Sequence, residues 1–420
     1  MKQKVVIIGM GYVGYPLACA IARSAKNEVI GKEIDTTKID KIKNRISPVE
    51  DKQAEEDIKT VNIEVSSDYS KVKDSDYVVI CVPTPVNEEK EPDLTPVRKV
   101  ATQITKFIRP GHIIILESTV NPGVCEEEVL PLLEQSGYIA GIDFDLIHCP
   151  ERIDPANAHW NVYNIPRNIG GTSREGTKRA ANFYRSFLHG QINEMTTLKT
   201  AEATKIVENT FRDINIAYVN ELAKCFDRLG IDIMEVIKGA STKPFAFMPH
   251  YPGCGVGGHC IPVDPYYLIS KARKVGFDHV FLKTAREINN GMNQYTVQKL
   301  ITGLNEIGKP LKHTKIGILG VSYKANIGDT RESPSLEIIK ILKTYNPDLL
   351  ICDPYLNQEG LVDIDQVLSE SEAVMVLTNH DQFLSIKKWN NVKLIIDGRN
   401  CLDIEEIKKQ GIIYKGIGRN

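Results

Sequence analysis

The sequence has almost no net charge, no cysteines paired at metal-ligand spacing and no long apolar run. With 52 basic and 54 acidic residues the formal charge is −2. That balance argues against nucleic acid or an acidic membrane surface as a partner, so any anionic ligand must be met by local basic residues. The nine cysteines are odd in number and scattered, with no Cys-x-x-Cys pair. A zinc ribbon and a disulfide framework are thereby disfavoured, and a reducing cytosol fits, where one thiol can stay reactive. No stretch approaches the roughly 20 apolar residues that a membrane span needs. Residues 1–9 read as a strand running into glycines rather than as a signal peptide, so the expected location is cytoplasmic. No low-complexity segment or linker is evident either.

What is present is a long chain of regular texture. At 420 residues, 42% of them hydrophobic, it exceeds one ordinary core, and two or three domains are expected. Residues 5–8, 28–31, 77–82, 113–117 and 145–149 are compact, mostly β-branched runs separated by helical patterns. This alternation predicts a parallel sheet with right-handed crossovers. Residues 201–230 carry no proline and no internal glycine, and Val207, Phe211, Ile214, Tyr218 and Leu222 recur at helical spacing. They predict one long helix ended by Gly230, a candidate spine and dimer interface. After Lys309 and Pro310 the first texture returns in residues 315–320, 349–352, 373–378 and 393–397. The fold class expected is therefore α/β, with two Rossmann-like doubly wound parallel-sheet domains joined by a long central helix. The boundaries expected are 1–199, 200–309 and 310–420.

The first strand runs into Gly9-Met10-Gly11-Tyr12-Val13-Gly14 and then an apolar helix. This is GxGxxG between a strand and a helix, where it signals a dinucleotide. Glu33, at the end of the second strand, suits the adenosine ribose hydroxyls and repels a 2′-phosphate, which favours NAD over NADP. Lys32 and Lys38 work slightly against that choice. Thr84 and Thr119 follow the next two strands, where either cofactor contact or turn capping accounts for them.

A second segment is more unusual. Gly253, Gly255, Gly257 and Gly258 precede His259 and Cys260, and Asp264-Pro265 follows as an apparent N-cap with proline in the first helical turn. Such a loop lets backbone N–H groups approach a ligand, and a thiolate is favoured ahead of a helix start. Asp264 reads equally as a cap alone. On the long helix Lys205, Asn209 and Arg212 fall at i, i+4 and i+7 and share one face, either solvated or aimed at a reacting oxygen. Glu151 lies in the proline-flanked stretch Cys149-Pro150-Glu151-Arg152-Ile153-Asp154-Pro155, as a surface turn or a group at the sheet edge. Tyr323, Lys324, Arg331 and Arg399 stand near strand ends, where a pyrophosphate needs cations.

Taken together, GMGYVG at the start, VPTP at 82–85, ESTVNPG at 117–123, PER at 150–152, KIVENTFRD at 205–213, GVGGHCIPVDPYYL at 255–268, SYKANIGDTRESPS at 322–335 and DGRN at 397–400 resemble the UDP-glucose/GDP-mannose dehydrogenase family along essentially the whole chain. The resemblance implies an NAD-dependent oxidation of a sugar C6 hydroxyl to a carboxylate. Cys260 matches the family's nucleophile and Lys205 its catalytic lysine. Asn209 and Asp264 match residues that hold water or stabilise the oxyanion, Glu151 a carboxylate of thioester hydrolysis, and Thr119 a threonine near the nicotinamide. Cofactor contact is implied for Gly9, Gly11, Tyr12, Val13, Gly14, Glu33, Lys38, Thr84 and Arg331. Substrate contact is implied for Arg152, Ile153, Arg212, Tyr251, Gly257, Tyr323, Lys324 and Arg399. Lys243 stands near the position of a basic residue that a second subunit of the family can supply, where several relatives carry arginine. A homodimer or higher homo-oligomer is expected on the same basis.

His259 before the cysteine, Ile261-Pro262-Val263 after it, Arg212 and the stretch 243–248 are most similar to the branch acting on UDP-N-acetylglucosamine. UDP-N-acetylmannosamine is the next candidate, then UDP-glucose. Two other readings can be told apart from this one. A hydroxyacid dehydrogenase with the same opening needs no Cys260. A nucleotide-sugar sensor needs no nucleophile, and so would not need Cys260, Lys205, Asn209 and Asp264 together.

Overall fold

A computed structural model describes residues 2–419 except 25, 50, 88, 154–156 and 158. The chain forms two compact units, Met1–Glu208 with Tyr266–Phe277, and Asn209–Pro265 with Asp278–Asn420.

The first unit is built on eight strands: β1 (Gln3–Ile8), β2 (Asn27–Lys32), β3 (Glu64–Ser66), β4 (Tyr77–Ile80), β5 (Ile113–Leu116), β6 (Asp145–His148), β7 (Arg167–Gly171) and β8 (Ile192–Glu194). Their order is β3-β2-β1-β4-β5-β6-β7-β8. The order reverses between β1 and β4, which opens a ligand crevice at the C-terminal strand ends there. The central strands are unbroken apolar runs because both faces are covered. Alternate residues serve opposite layers: Val5, Ile7, Val79 and Ile115 pack with Tyr15, Leu17 and Tyr184. Val6, Ile8, Val78 and Ile114 pack with Val97, Ile104 and Leu133 on the other side.

The sheet departs from the expected pattern at one place. β7 runs antiparallel to β6, and neither β7 nor β8 is visible as an apolar run. β7 ends in two glycines for a packing reason: a Cβ on Gly170 would stand 2.3 Å from the Thr197 carbonyl oxygen.

The second unit carries β9 (Lys315–Leu319), β10 (Asp348–Cys352), β11 (Ala373–Val376), β12 (Leu394–Asp397) and β13 (Ile413–Gly416), in the order β10-β9-β11-β12-β13. All neighbours are parallel. Here the reversal lies between β9 and β11, so the segments after these two strands border the crevice.

The long helix spans Leu198–Leu229, and Gly230 (φ +69°) ends it in the left-handed conformation. Its sequence contributes to both units. The apolar period noticed in the sequence does not face a core throughout, because Val207, Phe211 and Tyr218 are exposed. In the second unit the helix buries Val219 and Ala223 in an apolar cluster and, beside them, a row of polar groups. Asp213 Oδ1 accepts bonds from Arg286 Nη1 (2.6 Å) and Asn289 Nδ2 (2.8 Å), both on the helix Val280–Glu306. Asn289 Oδ1 accepts from Asn220 Nδ2 (2.9 Å), and Asn220 Oδ1 takes the Gly253 N–H (3.0 Å). A buried polar ladder thus ends on the glycine-rich segment.

The first unit also buries a charged trio. Arg167, at the start of β7, places Nη1 2.9 Å from Glu117 and Nη2 2.9 Å from Glu151. The Tyr184 hydroxyl donates to Glu117. Burial pushes the Glu117 carboxyl up to about 7 against the pull of Arg167, with Glu151 adding to the rise. Burial raises Glu151 as well, but Arg167, the Arg152 and Ile153 N–H groups and Lys205 outweigh it and hold this carboxyl below its ordinary value. A carboxyl whose folded pKa is raised stabilises the fold most when protonated. For Glu117 that contribution is complete below the ordinary 4.5 and is lost as pH climbs to about 7. Glu117→Gln cannot ionise, so its Tm is expected to fall less than that of the parent chain across this window. Equal slopes in the two proteins would mean that Glu117 is ionised throughout.

Candidate active site

At the end of β1 the three glycines of GxGxxG have different jobs. A Cβ on Gly14 would stand 2.0 Å from the Gly9 carbonyl oxygen, so this residue answers to packing. A Cβ on Gly11 would meet nothing within 4 Å, so its bare backbone faces open space, as close approach to a pyrophosphate requires. The helix Gly14–Arg23 starts there with no side-chain cap and no acid in its first turn, which suits an anion at its positive end. Tyr12 is exposed and Val13 half-buried at this rim. Glu33 is buried at the end of β2. Its Oε2 accepts the Met10 N–H (2.9 Å), and its Oε1 accepts the N–H groups of Ile34 (2.7 Å) and Asp35 (3.1 Å). The Lys38 ammonium stands 3.9 Å from the same carboxylate. Bare backbone, a helix start and a held carboxylate form a donor and acceptor set that fits NAD.

Thr84 and Thr119 are joined, because the Thr84 hydroxyl donates to the Thr119 carbonyl (2.7 Å). The Thr84 carbonyl in turn accepts from the Tyr267 hydroxyl. Thr84 therefore acts in the turn itself, and Thr119 is left half-buried beside it. The turn beyond Thr119 is held by a residue that the sequence did not single out. Glu202 on the long helix accepts the N–H groups of Gly123 (2.5 Å) and Cys125 (2.8 Å). Glu151 is buried directly after β6, not on a surface turn. Its Oε1 takes the N–H groups of Arg152 and Ile153, each at 2.6 Å. Arg152 is committed to Glu208 (Nε to Oε2, 3.0 Å) and to the Pro166 carbonyl (2.7 Å). Asp154 and Pro155, which close that stretch in the sequence, lie outside the described residues. Lys205 is buried on the long helix, within electrostatic reach of Glu151.

In the second unit the cysteine loop is fixed from two sides. The Cys260 carbonyl accepts the N–H groups of Val263 (3.1 Å) and Asp264 (2.8 Å), which turns the chain into the helix Asp264–Lys274. Asp264 is the first helical residue rather than the residue before it. Its carboxylate Oδ2 takes a 2.5 Å bond from Asn209 Nδ2, so it does more than close a helix end. The thiol itself is exposed. On its other side the loop lies against residues 323–334. A Cβ on Gly257 would stand 2.7 Å from Pro334 Cδ, and one on Gly258 would stand 2.8 Å from the Tyr323 ring. The Gly258 N–H donates to the Arg331 carbonyl (3.1 Å).

Tyr323, Lys324 and Arg331 are thus carried by the segment that supports the cysteine loop. The Arg331 guanidinium bonds Asp329 and lies within electrostatic reach of Tyr323 and Cys260. Burial, and then Arg331, hold the pKa of His259 below its ordinary value, so it stays neutral. Arg399 follows β12 and is oriented by its Nε bond to the Leu377 carbonyl (2.8 Å). Its Nη2 is buried without a partner among the described residues. A buried guanidinium N–H in that state is a donor that a ligand's acceptor can meet. Arg212, Lys243 and Tyr251 are exposed, with the Lys243 ammonium 4.9 Å from the Phe245 ring centre.

Sequence reasoning missed Arg167, Glu202, Asn220, Asp353 and His380, although each bonds a segment that bears site residues. The usable signal was position. Asp353 directly follows β10 and His380 lies four residues beyond β11, so both stand at the C-terminal ends of the strands. Arg167, Glu202 and Asn220 find their partners far along the chain, and no local pattern marks them.

Comparison with known proteins shows the family. Three family models match in order: the NAD binding domain of the UDP-glucose/GDP-mannose dehydrogenase family over residues 3–188, its central domain over 199–291 and its UDP binding domain over 317–404. A UDP-N-acetyl-D-mannosamine dehydrogenase of Pyrococcus horikoshii is 33% identical and covers 99% of both chains. A UDP-N-acetyl-D-glucosamine 6-dehydrogenase of Salmonella typhi is 35% identical and covers 91% of each. A solved UDP-D-ManNAc dehydrogenase structure from Pyrococcus horikoshii superimposes with a TM-score of 0.93 at 33% identity, covering 99% of each chain. The chain is a member of the UDP-glucose/GDP-mannose dehydrogenase family and binds NAD through its N-terminal domain.

Proposed function

We propose that this NAD-dependent dehydrogenase oxidises the C6 hydroxyl of a UDP-N-acetylhexosamine to the carboxylate in two steps, with Cys260 as the covalent carrier. The observation behind this reading is an exposed thiol at a helix start, on a glycine loop braced by the segment that bears Tyr323 and Lys324. Bound NAD supplies the hydride acceptor, one molecule for each oxidation. Lys205, or a water it holds, takes the hydroxyl proton as the alcohol becomes an aldehyde. The Cys260 thiolate adds to the aldehyde carbon to form a thiohemiacetal, which keeps the aldehyde from escaping. Loss of a second hydride and the hydroxyl proton leaves a thioester. Water then cleaves the thioester, returning the thiol and releasing the carboxylate.

The roles of the other residues come from their chemistry. Lys205 and Asn209 stabilise the oxyanion of each adduct. Asp264, buried and bonded to Asn209, keeps that amide turned so that its oxygen and remaining N–H serve the site. Glu151 accepts three hydrogen bonds of the roughly four that a carboxylate can take. Held ionised, it suits the orienting of a water better than the storing of a proton. Arg399 and Lys324 meet the pyrophosphate of the substrate.

UDP-N-acetylglucosamine is the sugar preferred here, on the residues flanking Cys260 and on Arg212. UDP-N-acetylmannosamine is the second reading, favoured by the relatives that bear its name. UDP-glucose is third. A thiolate carrier suits a reducing compartment, so we place the chain in the cytoplasm. Among the described residues no helix is long and apolar enough to cross a membrane. A second copy of the chain is the occupant we assign to the exposed stripe of Val207, Phe211 and Tyr218. Lys243 would then reach the partner's site.

Limiting UDP-N-acetylglucosamine with excess NAD is expected to yield about two NADH per sugar. No NADH from this sugar but two from its UDP-N-acetylmannosamine epimer would keep the mechanism and change the substrate. No NADH from any UDP-sugar despite tight binding would favour a sensor. Cys260→Ser is expected to lower kcat by about 10³-fold or more, and full steady-state turnover would sink the covalent route. Phe211→Glu is expected to shift the sedimentation coefficient to that of a monomer; an unchanged value would remove the stripe as the subunit interface.

A further inference from the structure

The segment that carries Tyr323, Lys324 and Arg331 is half-buried to exposed, yet it is pinned from behind by a fully buried histidine. His380 follows β11 and has no exposed surface. Its Nδ1 stands 2.8 Å from the Asn326 backbone nitrogen. A backbone N–H can only donate, so Nδ1 must be the acceptor and the ring proton resides on Nε2. Nε2 in turn stands 3.3 Å from Asp353 Oδ2. The same carboxylate oxygen takes the N–H groups of Val321 and Ser322, each at 2.8 Å, and the Ser322 hydroxyl at 2.9 Å. Burial works against ionisation of Asp353, but His380 and these backbone donors outweigh it and hold the carboxyl well below its ordinary range.

Asn326 is the far end of this tether. Its φ of +60° puts it in the left-handed region, a conformation with a cost that the surroundings must meet. Its side-chain Oδ1 accepts from the Tyr355 hydroxyl (3.2 Å) and the Asp381 N–H (3.1 Å). The Tyr355 ring lies over the imidazole, with centroids 4.8 Å apart and planes 23° from parallel. Phe383 closes the other side edge-on at 5.3 Å. The imidazole is thus stacked, buried and bonded at both nitrogens, and one of those bonds fixes the backbone two residues beyond Lys324.

We propose that His380 is a positioning residue for the nucleotide half of the substrate. Through the Asn326 N–H it sets the course of residues 323–331, and so the place of the Lys324 ammonium and the Tyr323 ring, without touching the ligand. This rests on the reading that Tyr323 and Lys324 contact UDP. The two ring nitrogens do different work, and two conservative substitutions separate them. An asparagine can keep an acceptor where Nδ1 stands. A glutamine can keep a donor where Nε2 stands but leaves the Asn326 N–H without its partner.

The test is calorimetric titration of the full-length protein with UDP alone, with no sugar and no turnover. Thermal melting followed by scanning calorimetry checks that both units of each variant are folded, titration with NAD serves as the control at the other site, and Lys324→Ala is run alongside. His380→Asn is expected to bind UDP within about threefold of the parent, and His380→Gln about tenfold more weakly, the size of one lost hydrogen bond. NAD affinity should not change in either. Equal UDP affinities in the two variants, or the reverse order, overturn the positioning role. Unchanged UDP affinity in Lys324→Ala overturns the reading of the loop, and the proposal with it. A Lys324→Ala loss together with a UDP-neutral His380→Gln would sink the proposal alone.

Discussion

Everything distinctive about the second unit depends on one close approach. Gly257 and Gly258 have no side chains, so the segment ahead of Cys260 lies directly on Pro334 and the Tyr323 ring. A methyl group at either position would enter space already filled by those atoms. The loop is therefore not a flexible strap that happens to carry a thiol. It is a layer pressed between residues 323–334 and the polar ladder that ends on Gly253. The bond from Asn209 to Asp264 holds the chain just beyond the thiol. An exposed cysteine is set in a frame that is largely buried and bonded. The nucleophilic role proposed for it needs placement to a fraction of an ångström, and a frame of this kind would supply it.

The same contact means that the thiol and the basic residues of the UDP binding domain are not independent sites. They share a segment. A change that shifts residues 323–334 shifts the support of Cys260, whether or not it alters any residue that meets a ligand. Buried residues behind the segment, Asp353 and His380 among them, hold its backbone by hydrogen bonds.

Much of this was readable from sequence where the physics is local. The strand runs of both sheets, the glycine turn after β1, the helix end at Gly230 and the family motifs all depend on neighbours within a few residues. What sequence hid was of two kinds. β3, β7, β8 and β13 are short or polar, and β7 is shaped by the closeness of Thr197 rather than by its own pattern. The second kind is long-range polar pairing. Glu151 read equally as a surface turn or as a group at the sheet edge, and its partner Arg167, far along the chain, is what turns it inward. The apolar period on the long helix erred in the opposite direction, since Val207, Phe211 and Tyr218 lie at the surface while Asp213 and Asn220 are buried. In each case a contact distant in sequence overrode a sound local expectation.

The trio of Glu117, Arg167 and Glu151 has a bearing on how such a chain can diverge. Exchanging Arg167 alone would leave two carboxyls without their cation in a dry interior, whereas Glu117, already pushed towards its neutral form, can lose its charge and leave the Arg167–Glu151 pair intact. Surface positions nearby can drift one at a time. The three therefore act as one cluster, in which the effect of changing one member depends on the state of the other two.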